Sequence, residues 1–146
     1  MQAKEERLQG PLLPAHLSDE QFIAAMEQLR IANADFHHRD HIRLAWAYLR
    51  RDNVSLAGEK LANCICRYAT HNKAPRKYHH TITLVWVRIV ASTMRLTPSL
   101  QSFEPFAAAH PFLFEVRLPW TFYSAARLDS EAARAGWVEP DLHALP

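Results

Sequence analysis

Nine histidines stand out in this chain of 146 residues, and two groups of them have the spacing of ligands. His38 and His41 are three apart, and His37 and His41 are four apart, so on a helix either pair presents two imidazoles to one side. Neutral imidazole is a good ligand for zinc, copper or iron. His38 continues a stripe through Ile42, Ala45 and Leu49, which predicts that it faces a core; His41 lies beside that stripe and His37 turns toward solvent. A second pair, His79 and His80, opens a later apolar segment, with His79 in a row with Thr83, Trp86 and Val90. If the two helices run parallel, with a third returning between them, His38, His41 and His79 converge at one end of a bundle, with His80 as a fourth candidate ligand.

Three imidazoles leave an open position on the ion for water, oxygen or substrate. The expected activity is therefore that of a metal-dependent enzyme acting on a small molecule. Oxidoreductase chemistry on copper or iron is favoured over zinc-based hydrolysis or lyase chemistry, because aromatic residues rather than a carboxylate base accompany the histidines. Tyr78 is the candidate catalytic acid or donor, though a rim aromatic is its plainer role. Thr83, Trp86 and Tyr123 are candidate pocket residues; Thr83 could instead bond its own helix, and Ser124 beside Tyr123 could be an N-cap. Arg76 and Lys77 could hold an anion, and Arg134 with Asp141 could pin the tail. Two other readings stand beside the enzyme. One is a non-catalytic metal- or ligand-binding helical module, closed by His80 if it holds metal. The other is purely structural, with histidines capping helices or satisfied by backbone carbonyls.

The elements that must position these residues read as helices. Ser18 and Gln21 form a capping box, and Leu17 and Phe22 a hydrophobic staple, for a first helix reaching about residue 33. A second starts at residues 35–38, carries Ile42, Ala45, Trp46 and Leu49 on one face, and ends in Arg50 and Arg51, where cations suit the helix terminus. A third spans about 54–70 with Leu56, Leu61, Ile65 and Tyr68 inward. Residues 77–96 are ambiguous, since 81–87 are β-branched enough for a strand. Apolar residues on both alternating faces and a length near twenty favour a central helix instead. A short helix is expected within 99–109, an irregular or helical stretch at 112–118, and Ser130 caps a last short helix over 131–136. The whole is an all-α, single-domain helical bundle with an irregular C-terminal segment; α+β with a short strand pair is the alternative. Residues 1–16 read as a loose tail and 17–146 as the domain.

Three blocks carry a resemblance. Phe36-His37-His38-Arg39-Asp40-His41-Ile42, with Leu44-Ala45-Trp46, and Lys77-Tyr78-His79-His80-Thr81-Ile82-Thr83 look like the F-x-H-x-x-H and K-Y-H-x-T-x-T signatures of a family of small bacterial proteins. The third block is Tyr123-Ser124, Leu128, Ser130, Ala133-Arg134, Trp137-Val138 and Pro140-Asp141-Leu142. That family has no established activity, so the resemblance implies chiefly that His38, His41 and His79 matter. His80 stands where the resemblance leads one to expect an acidic residue, which would turn a carboxylate-containing site into an all-histidine one.

Composition narrows the partners. A net charge of +2 with scattered basic residues argues against nucleic acid, and the longest apolar run, broken by Arg88, is too short for a membrane span. No secretory signal is evident. Cys64 and Cys66 point about 200° apart on a helix, so both are expected to be buried thiols of a reducing compartment, with the cytoplasm as the default. A small-molecule partner is the expectation.

Overall fold

The computed structural model describes residues 12–146. Ser18 opens α1 (Asp19–Glu27): its hydroxyl accepts from Gln21 N at 3.2 Å, while Gln21 Oε1 accepts from Ser18 N at 3.0 Å. The helix stops six residues earlier than its pattern suggests. Leu29 adopts a left-handed backbone (φ 60°), and Arg30 N reaches back to Ala25 O at 2.8 Å, closing the end as a Schellman-type turn without glycine. The part of the expected tail that is described, residues 12–16, is packed rather than loose. Leu12 and Pro14 are buried. Arg43 holds this segment, donating to Pro14 O and Leu17 O at 2.7 Å each and to Asp19 Oδ1 at 3.0 Å. The remainder of that tail lies outside the described residues.

Three long helices build the centre: α2 (His38–Arg51), α3 (Val54–His71) and α4 (His80–Leu96). Each packs on the other two. Phe36 meets Tyr68 at 5.1 Å between ring centroids, and Lys60 pairs with Asp52 at 2.9 Å, so α2 and α3 are antiparallel. Gly58 of α3 faces Leu84 of α4, a close approach between these two helices. The core combines Ile42, Trp46 and Tyr48 with Leu61, Val85, Trp86, Ile89 and Val90. Burial on several sides explains why α4 reads as apolar nearly all round. Leu56, expected inward, is exposed.

Beyond α4 the chain wraps the bundle in short pieces: α5 (Phe103–Ala109), 3-10 turns Pro111–Phe114 and Leu118–Thr121, α6 (Ala125–Leu128) and α7 (Glu131–Ala135). No strand occurs among the described residues, so the all-α reading holds and the strand-pair alternative does not. Ser124 and Ser130 cap α6 and α7. The tail is anchored through the buried Thr81, whose hydroxyl donates to Gly136 O at 2.7 Å and accepts from Val138 N at 3.2 Å. Asp141 accepts from Ser124 N and Oγ, at 2.8 and 2.6 Å, instead of pairing with Arg134. Among the described residues no helix is long and apolar enough to cross a membrane.

Candidate functional site

The histidines do not converge. His38 and His41 are neighbours in the first turn of α2, with ring centroids 6.4 Å apart, but His38 packs edge-on against Trp86 at 4.8 Å rather than against His79. Trp86 lies seven residues past His79, about 10 Å along a helix. The start of α2 thus meets α4 two turns beyond its N-terminal histidines. Among the described residues no group of three or more His, Cys, Asp or Glu side chains is placed to hold a metal ion.

His79, His38 and His80 have other partners. His79 is the N-cap of α4: Nδ1 accepts from Ile82 N at 3.1 Å, and Nε2 donates to Leu128 O at 2.7 Å. Both nitrogens are engaged, and the partners dictate the neutral tautomer protonated on Nε2. Burial accordingly lowers its pKa, with Arg134 acting in the same direction. His38 Nε2 donates to Leu113 O at 2.9 Å, tying α2 to the turn after α5. His80 Nδ1 lies 2.7 Å from the Tyr78 hydroxyl. His41 is half-buried as a residue, yet its Nε2 is sealed from solvent with no hydrogen-bond partner. Burial, with the neighbouring His38 acting in the same direction, pushes its pKa down to about 4. His37, expected to face solvent, is exposed.

The expected pocket residues are structural. Thr83 Oγ1 donates to His79 O at 2.7 Å, bonding its own helix. Trp86 is core, 2% exposed. Tyr123 is buried and donates to Val138 O at 2.7 Å, where it pins the tail; burial raises its pKa to about 12. Tyr78, the expected catalytic acid, caps the turn Pro75–Lys77 ahead of α4, and its hydroxyl meets His80. Burial, with Cys66 nearby, pushes its pKa to about 12. Cys64 is buried as expected, but Cys66 is exposed.

What the structure does build is a cleft of about 510 Å³ between α3 and α4. Gly58, Ala62, Leu84 and Val87 supply apolar lining, and Trp137 stands at the side. Ser55, Glu59, His80 and Arg88 supply its polar groups. The Arg88 guanidinium stacks over Trp137 at 4.7 Å, and the indole Nε1 donates to Glu139 Oε1 at 2.9 Å, so the cation and its platform are oriented together. Gly58 keeps the helices close here. A Cβ on it would meet Leu84 Cδ2 at 3.2 Å, tighter than ordinary contact. Two signals in the sequence pointed to this face: a glycine inside an otherwise good helix, and His80, Leu84, Val87 and Arg88 recurring at helical spacing. Compared with known proteins, the chain matches no family model, no curated protein and no solved structure.

Proposed function

We propose that this chain is a small-molecule-binding helical module whose ligand lies in the α3–α4 cleft. The observation that carries the reading is the composition of that cleft: apolar lining, a cation fixed on an indole, and an imidazole oriented by Tyr78. Its volume of about 510 Å³ is in the range of small-molecule sites, which combine apolar walls with a few placed polar groups. The ligand class is a small amphipathic acid. Its apolar body would cover Leu84, Val87 and Trp137, and its carboxylate would face Arg88. Glu59 disfavours a second negative charge.

Ligation of copper, iron or zinc by His38, His41, His79 and His80 is not carried into this proposal, because His79 has both ring nitrogens committed to backbone partners and His38 has Nε2 committed. A cytoplasmic setting fits the exposed, unpaired Cys66.

The test is titration with octanoate and 4-phenylbutyrate, followed by amide shifts and tryptophan fluorescence. Saturable binding should move resonances of Gly58, Leu84, Val87 and Trp137. Arg88→Gln should weaken it about tenfold, whereas Glu59→Gln should leave it equal or tighter. Both side chains are exposed, so the fold is not at stake. Non-saturable shifts, or no preference between the two variants, would overturn the reading.

A further inference from the structure

On the other side of Tyr78 lies a second cleft, of about 480 Å³, between the turn Pro75–Lys77 and α7. Its lining includes Arg76, Tyr78, Glu131 and Arg134. Arg134 Nη1 donates to Arg76 O at 3.1 Å, which brings its guanidinium onto the turn that carries Arg76 and leaves most of its five N–H donors uncommitted. Two cations thus face one carboxylate. The turn is held by Lys77 N to Ala74 O at 3.0 Å and Tyr78 N to Pro75 O at 3.2 Å. The walls therefore rest on fixed backbone.

We propose that this cleft is an oxyanion site, taking a phosphate or carboxylate group between Arg76 and Arg134, and that the Tyr78–His80 hydrogen bond links it to the α3–α4 cleft. The linkage follows from counting protons. Tyr78 lines the second cleft and His80 lines the first, and the two share one hydrogen bond. While Tyr78 donates to His80 Nδ1, the neutral imidazole carries its proton on Nε2. An anion that accepts a hydrogen bond from the Tyr78 O–H turns the hydroxyl oxygen into the acceptor of the bond with His80. His80 must then bear its proton on Nδ1, the one on Nε2 being released to water as another is taken up. Nε2 changes from donor to acceptor. An anion in the second cleft thereby alters what His80 offers a ligand in the first.

The site itself does not depend on the amphipathic acid proposed above; only the consequence of the tautomer change rests on that reading. The experiment is titration of the protein with inorganic phosphate, and separately with acetate, at constant ionic strength and pH 7.5. It is followed by calorimetry and by ¹⁵N shifts of the His80 ring. Saturable binding is expected, with the tighter of the two anions identifying the oxyanion type. Arg76→Gln and Arg134→Gln should each weaken binding about tenfold or more, while Arg88→Gln should not change it. Arg76 is exposed and belongs to no helix packed in the core, so its variant remains informative if Arg134→Gln loosens α7. In the native chain the anion should move the His80 signals from the Nε2–H to the Nδ1–H pattern, and Tyr78→Phe should abolish that movement. No saturable binding of either anion up to about 10 mM, a value weak even by the standard of small-ion sites, would overturn the site. Binding without a His80 response would overturn the linkage. Failure of octanoate binding alongside intact phosphate binding would count against the α3–α4 ligand only.

Discussion

His41 should make this fold acid-sensitive in a calculable way. Its folded pKa is held near 4 against 6.5 for an ordinary histidine. Above pH 6.5 the group is neutral in both states and contributes no pH dependence. Between 6.5 and 4 the unfolded chain takes up a proton that the folded one refuses, so stability falls as the pH drops through that window. The full difference of about 2.5 pH units corresponds to roughly 3 kcal/mol, with about 2 kcal/mol already lost by pH 5. A domain of this size has about 5–15 kcal/mol to lose, so the effect is large. Urea unfolding from pH 7.5 to 4, for the native chain and for His41→Leu, isolates it, because the two proteins differ only at this side chain. The variant should lose less stability by about 2 kcal/mol at pH 5. At pH 7.5 the variant should lie within about 1 kcal/mol of the native chain, because it also removes a buried nitrogen with no partner. Equal pH slopes for the two proteins, or a His41 ring that titrates near 6.5 by NMR, would refute the argument.

Arg43→Lys should cost about 2–3 kcal/mol in urea unfolding, because an ammonium cannot serve Pro14 O, Leu17 O and Asp19 at once as the guanidinium does; a loss below about 0.5 kcal/mol would show that residues 12–18 are held by packing alone. In native protein a maleimide should label one thiol. Cys66 is exposed, whereas Cys64 is buried with its pKa pushed up to about 11, so Cys66→Ser should abolish native labelling and denaturant should restore one equivalent.

The fold was legible where local pattern and global packing agree. The Ser18 and Gln21 capping box, the stripe of α2 and the all-round apolar character of α4 each have a physical cause that acts over a few residues. That α2, α3 and α4 pack on one another followed from their lengths and the short connections between them. The register did not. Whether the start of α2 meets His79 or Trp86 is decided by side-chain interdigitation across the interface, and helical spacing holds no record of it. Meeting Trp86 instead of His79 leaves the expected ligands without a shared ion-binding geometry. His79 illustrates a further blind spot: an imidazole at an N-cap can satisfy a helix terminus as an asparagine would, and its second nitrogen found a carbonyl 49 residues away. The early end of α1 at Leu29 was hidden because no glycine or proline announces it. The cleft is hidden for a different reason: its wall, Trp137, comes from a segment docked on Thr81, 55 and 57 residues earlier than its partners, and no local pattern signals that contact.

That docking ties binding to folding. Thr81 holds the C-terminal segment through partners 55 and 57 residues distant in sequence, whereas α2, α3 and α4 associate through much shorter loops. Closure of the long loop is entropically the costlier step, and the segment's nearer ties, to Tyr123 and Ser124, are individual hydrogen bonds outside any helix, so residues 136–143 form a natural unit of local opening while the three central helices stay assembled. Trp137 leaves with it, and the cleft loses a wall. A ligand seated against that indole would therefore slow amide hydrogen exchange in the tail more than in α3 or α4, and its affinity would contain the free energy of keeping the tail down.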